Sequence, residues 1–117
     1  MTKADIQITV RTPSPKIAIM DIHGEINSYA ETAIMDAYTQ SSSAGANAII
    51  LNFEGLEYMN SSGIGLLVTL LIRVQRQKQH LSAFGLSEHY RQIFELTRLN
   101  EAILIYDNEN AALQAAG

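Results

Sequence analysis

The sequence predicts an α/β fold, a single domain on a mixed, largely parallel sheet with an N-terminal hairpin, and three observations carry that prediction. Strand-like and helix-like segments alternate in the order ββαβαβαβα, the pattern of right-handed crossovers between parallel strands. The run Asn47-Ala48-Ile49-Ile50-Leu51-Asn52-Phe53 is almost continuously apolar at strand length, as an interior strand covered on both faces requires. The first two strand-like segments are joined by a short link bearing two prolines, which fits an antiparallel pair at the edge of the sheet. At 117 residues the chain has the length of one domain, 1–117, with its core expected over about 5–115.

Taken in order, Asp5 to Arg11 places Ile6, Ile8 and Val10 on one face by period two, a half-buried strand that Thr12-Pro13-Ser14-Pro15 ends. Lys16 to Ile22 is the second strand, and His23 to Ser28 reads as a turn leading to a helix cap. From Tyr29, the residues Ala30, Ala33, Ile34, Ala37 and Tyr38 recur at helical spacing until the segment dissolves into Ser41-Ser42-Ser43-Ala44-Gly45. Asn47 to Phe53 is the interior strand and Glu54 to Asn60 its loop. Ser61-Ser62-Gly63 then opens a helix whose apolar part, Ile64 to Val74, passes into the polar Gln75 to His80. Leu81 to Leu86 is a strand, Glu88 to Thr97 a helix, Ala102 to Tyr106 the last strand and Glu109 to Ala115 a closing helix, about four helices in all.

Composition excludes several classes of function. Hydrophobic residues make up 47% and charged residues 17%, too apolar and too weakly charged for a disordered chain. A net charge of -4 argues against nucleic acid as the main partner, because phosphate binding needs a surplus of Lys and Arg. With no Cys, disulfides and thiolate metal sites are impossible. Met1-Thr2-Lys3-Ala4-Asp5 leads directly into the first strand without the apolar core of a secretory signal, and the longest apolar run, Ile64 to Ile72, falls far short of the roughly 20 residues that span a bilayer. A cytoplasmic protein with no membrane segment is expected.

The segment Asn60-Ser61-Ser62-Gly63-Ile64-Gly65 lies between a buried strand and a largely apolar helix, where backbone N–H groups are unpaired. Asn and Ser are strong N-caps, so capping is one reading. The other is that a hydroxyl accepts a phosphoryl group, since helix N–H groups and the macrodipole favour an added anion. The two readings are compatible.

Leu51-Asn52-Phe53-Glu54-Gly55-Leu56-Glu57-Tyr58-Met59-Asn60-Ser61-Ser62-Gly63-Ile64-Gly65-Leu66-Leu67 resembles the signature of STAS domains, in particular bacterial anti-sigma factor antagonists. Gly24-Glu25-Ile26-Asn27 is similar to that family's other short motif, and the element order agrees from about Asp5 to Ala115. The resemblance implies a non-catalytic protein, without cofactor or metal, that binds a serine-kinase anti-sigma factor and so frees a sigma factor to direct transcription. It implies that the kinase phosphorylates Ser61, with Ser62 the second choice, and that a PP2C-type phosphatase reverses this. The expected partner surface comprises Gly24, Glu25, Asn27, Glu57, Tyr58, Met59, Asn60, Ser61, Ser62, Gly63 and Leu66. Monomer and homodimer both stay open.

No Lys or Arg falls between Lys16 and Arg73, while Asp21, Glu25, Glu31, Asp36, Glu54 and Glu57 do, so the surroundings of Ser61 are expected to be acidic. Asn27, Asn52 and Asn60 stand where the family usually has Asp. Asn60 keeps the size and capping ability of Asp but not its charge.

Competing functions find less in the sequence. The Ser61 neighbourhood lacks Gly-x-Ser-x-Gly, and His23, His80 and His89 are scattered as loop or helix-surface residues, so no hydrolase triad is legible. No Lys follows Gly63 or Gly65, against a P-loop, and Asn52-Phe53-Glu54 does not supply a receiver domain's Asp. Ile64, Leu67, Leu71 and Val74 are assigned to the core, with Leu66 and Leu70 widening the stripe towards an exposed edge, and Leu99 is assigned to packing. The serious alternative is a STAS interaction or scaffold module without a phosphorylation cycle.

Overall fold

A computed structural model describes residues 5–117, so the reading of Met1 to Ala4 lies outside the described residues. Five strands, β1 (Ile6–Ser14), β2 (Ile17–Ile26), β3 (Ala48–Met59), β4 (His80–Phe84) and β5 (Leu104–Tyr106), form one sheet in the order β1-β2-β3-β4-β5. β1 and β2 pair antiparallel, and every later pair is parallel. Four helices, α1 (Glu31–Ser43), α2 (Ser61–Arg76), α3 (Glu88–Leu96) and α4 (Glu109–Ala116), complete the α/β domain that the alternating pattern predicts.

The two faces of the sheet are covered unequally. Met20, Ile22, Leu51 and Phe53 pack with Ile34 of α1, Leu67 of α2 and Phe94 of α3 in the larger cluster, where Phe53 and Phe94 meet edge to face at 6.4 Å. Ile17, Ile19, Ile50 and Phe84 alternate with them onto the other face, where Ala112 of α4 closes a smaller cluster. This double covering explains why β2 and β3 are apolar without alternation. Leu99 is buried, as the sequence predicts.

Three boundaries depart from expectation. β1 runs on through Pro13 instead of ending at Arg11, because an edge strand can spare a backbone donor. His23 to Ile26 continue β2 and are not a turn. Glu54 to Met59 continue β3 and are not a loop, since His23↔Gly55 and Ile26↔Met59 extend the parallel pairing to the end of both strands. The register shifts twice, once after Asp21 and once after Gly24, leaving one additional residue of β3 unpaired each time. Such bulges break the alternation by which a strand is recognised in sequence. Gln79, read as part of a wet helix end, instead accepts from the Tyr38 hydroxyl at 2.8 Å and donates to the Ala46 carbonyl at 2.9 Å.

A polar network ties four elements, β1, β2, β3 and α4, together on the α4 face. Arg11 of β1 donates to both carboxylate oxygens of Asp21 (2.6 and 2.8 Å) and to both of Glu109 on α4 (2.8 and 3.2 Å). Asn52 of β3 donates to Asp21 at 2.7 Å. The Arg11 hydrogen bonds, followed by that from Asn52, outweigh burial and hold the Asp21 carboxyl below its usual 3.8. A depressed folded-state pKa contributes stability above the unfolded pKa and loses it as pH falls through the folded value. Urea denaturation between about pH 5 and 3 should therefore show a shallower loss of stability for Asp21→Asn than for the wild type. Equal slopes would refute the assignment.

Candidate functional site

Parallel pairing brings the two motifs together at the carboxyl ends of β2 and β3, where Glu25 lies opposite Tyr58 and Ile26 opposite Met59. Strand ends of this kind gather the functional loops in α/β sheets. Asn60 donates its backbone N–H to the Ile26 carbonyl at 3.3 Å, and its extended backbone (φ -99°) lets the side chain turn back over the first turn of α2. Its Oδ1 accepts from the N–H of Gly63 at 2.9 Å. Asn60 is thus a true N-cap, and Asn27 performs the same task on the short 3-10 turn Ser28–Ala30, accepting from Tyr29 N–H at 2.9 Å.

Ser61 and Ser62 stand exposed in that first turn, their side chains clear of the cap. Gly63 explains how the helix start can lie so close to β2. A Cβ there would sit 2.2 Å from the Ile26 carbonyl oxygen and 2.8 Å from Met59 Cγ. Gly24 has φ +105°, and a Cβ on it would lie 2.2 Å from the Asp5 carbonyl oxygen, so the first motif also needs its glycine.

Of the residues expected to face a partner, Glu57, Tyr58, Ser61 and Ser62 are exposed, and Gly24, Glu25, Asn27, Asn60 and Leu66 are half-buried. Met59, at 4% exposure, and Gly63 are buried, which corrects their placement on the docking surface. Met59 packs in the core beneath the motif, and Gly63 supplies close approach. The exposed edge of α2 is also corrected. Leu70 is fully buried, and Val68 and Ile72 are the apolar residues open to solvent.

The acidic character of the surface is narrower than the sequence suggests, because Asp21 is neutralised by Arg11 on the α4 face. Glu25 and Glu57 remain, near the ends of β2 and β3. No helix of the described residues is long and apolar enough to cross a membrane, and among them no three His, Cys, Asp or Glu side chains cluster to hold a metal.

Two contributors were not legible in sequence. Tyr29, 52% exposed like Tyr58, projects from the 3-10 turn rather than opening a helix core. Tyr90 of α3 accepts the buried N–H of Met59 at 2.8 Å, beyond the point where β4 ceases to pair with β3. No local pattern announces that bond, which spans 31 residues. Tyr90→Phe would orphan a buried donor and should cost about 1–2 kcal/mol in urea denaturation. An unchanged midpoint would mean that water reaches the amide.

The strand order and the two motifs at the ends of β2 and β3 define one class of α/β domain, and residues 7–112 match the STAS domain. The chain belongs to the STAS family. Its curated relatives include the anti-sigma-B factor antagonist of Staphylococcus aureus (strain NCTC 8325 / PS 47), 27% identical over 103 residues that cover 88% of this chain and 94% of the relative. Among solved structures, an anti-sigma factor antagonist from Mycobacterium paratuberculosis superposes with a TM-score of 0.79 at 18% identity, covering 98% of each chain. The Bacillus cell fate determinant SpoIIAA in its phosphorylated form superposes with a TM-score of 0.71 at 20% identity, covering 93% of this chain and 99% of that one. These two structural likenesses are likenesses of fold.

Proposed function

We propose that this chain is an anti-sigma factor antagonist that binds a serine-kinase anti-sigma factor in the cytoplasm and is released when that kinase phosphorylates Ser61. The observation that carries the reading is the exposed Ser61 in the first turn of α2, set there by the Asn60 cap and the Gly63 approach. The name of the Staphylococcus relative supports the same class of task. In the cycle, the γ-phosphoryl group of ATP passes to Ser61 Oγ, the hydroxyl proton is lost and ADP leaves. A PP2C-type phosphatase then uses water to return the hydroxyl and release inorganic phosphate. The chain itself catalyses neither step.

Asn60 suits this role even though the family usually has Asp there. Its side chain satisfies the Gly63 amide as a carboxylate would, and it adds no charge beside the incoming phosphate. Incubation with ATP and the kinase encoded nearest the gene, followed by phosphopeptide mapping, tests the reading. Phosphate is expected on Ser61 in the wild type and none in Ser61→Ala, whereas Ser62→Ala should leave phosphorylation largely intact. Modification elsewhere, or none, would refute the switch.

A further inference from the structure

β4 begins two residues ahead of its pairing with β5. His80 and Leu81 pair with Ala48 and Ile49 of β3 on one side, but the ladder to β5 starts only at Ser82, opposite Leu104. The gap beside those two residues widens into a cleft of about 410 Å³ between the sheet, the end of α2 and the last turn of α4. That volume lies within the range of roughly 300–1,000 Å³ typical of small-molecule sites. Leu71, Val74 and Leu81, all buried, form its apolar floor. Ala102, Ala112, Ala115 and Ala116 keep the space open. Ala102 and Ala115 are exposed, so larger apolar side chains there would close the cleft and bury more surface, a gain in stability that the fold forgoes.

The polar part of the lining selects by charge. Gln79 is committed elsewhere, since its amide bonds to Tyr38, Ser42 and Ala46. Ser82, Glu101 and Tyr106 also line the cleft, Glu101 is the one acidic residue among the lining residues, and none of them is Lys or Arg. An anion would find no opposite charge there, whereas an ammonium group would find a carboxylate and two hydroxyl acceptors. We infer that this cleft binds a small organic amine, with an apolar body the size of a phenylalkyl group seated over Leu81 between the alanines and its ammonium group towards Glu101. The occupant is a small molecule and not an added strand, because β5 already holds the ladder from Ser82 onwards. The site is independent of the function proposed above. It lies at the start of β3 and β4, whereas Ser61 follows the far end of β3, a strand of 12 residues.

Titration of the full chain with phenylbutylamine, followed by amide NMR, tests the site, with phenylbutanol and phenylbutanoate as the neutral and anionic probes. The amine should give saturable shifts centred on Ser82, Leu104 and Ala112 and bind about tenfold or more tightly than phenylbutanoate, as one charge-assisted hydrogen bond supplies. Glu101→Gln should remove most of that preference and leave the affinity for phenylbutanol unchanged. Ala115→Leu, which fills the cleft from an exposed helical position, should weaken amine and alcohol alike by about tenfold or more without lowering the melting temperature. Absence of saturable shifts would overturn the site. So would shifts spread over Glu25 and Glu57 that Ala115→Leu leaves unchanged, the mark of diffuse attraction to an acidic chain. Phenylbutanoate binding as tightly as the amine would overturn the assignment of the ligand. Concentration-dependent shifts at the same residues without any probe would give the cleft to a second copy of the chain and overturn the proposal.

Discussion

Ser61→Asp is expected to weaken binding of the kinase by about a hundredfold or more while leaving the melting temperature within a few degrees of the wild type. The side chain is exposed in the first turn of α2, so a carboxylate there meets no packing obstacle. Acidic residues in the first helical turn are favourable to the helix by roughly 0.3–1 kcal/mol, which predicts an undamaged fold. Binding behaves differently. The new charge adds to those of Glu25 and Glu57 near the ends of β2 and β3 and must be desolvated when the partner docks. A mismatch of charge at an interface costs several kcal/mol, and each 1.4 kcal/mol is about a factor of ten in affinity. Phosphoserine, with a charge of about -1.5 to -2, should act more strongly than aspartate. Ser61→Ala should retain full affinity and form a complex that ATP cannot dissociate. Calorimetry on the three proteins decides the matter, and an aspartate variant that binds like the wild type would exclude electrostatic release.

Gly63→Ala should have the largest effect on folding, a loss of about 3 kcal/mol or more in urea denaturation, or no folded protein at all. A methyl group at this position would press on the carbonyl oxygen of Ile26 at 2.2 Å. Because that oxygen belongs to the backbone at the end of β2, no change of rotamer relieves the contact. The first turn of α2 must lift away, and the Asn60 N–H bond to Ile26 and the Oδ1 cap on Gly63 go with it. A typical domain is stable by about 5–15 kcal/mol, so the loss is a large part of the total. The contrast with Gly65→Ala is the control. Two residues further along the same helix a Cβ would meet no atom within 4 Å, so the same substitution is predicted to stabilise the fold. Similar midpoints for the two variants would show that the helix start is free to move and that Gly63 does not set it.

The fold was legible because the strongest signals are local. Ile49, Ile50 and Leu51 leave no wet face, which only a strand between two covered faces permits. Asn60 and Gly63 frame the start of α2 at capping distance, and the structure joins them by one hydrogen bond. The strand ends were not legible. Residues 23–26 and 54–59 contain glycines and charges and lose their alternation at two bulges, so they resemble turns until their partner strand is seen. Met59 looked like a surface residue of the motif because nothing in its neighbours shows that Tyr90 and the core close over it.

Sequence alone determined the element order and the place of Ser61 at a helix start, since each depends on residues within one or two turns of one another. Tertiary structure decided which of those residues can meet a partner. Parallel pairing of β2 with β3 set Glu25 beside Tyr58, Arg11 took Asp21 out of the acidic surface, and packing buried Met59 while exposing Val68 and Ile72. It also told two glycines of one helix apart, because close approach is a property of what lies across the gap. Gly63 has a carbonyl there, and Gly65 has open space.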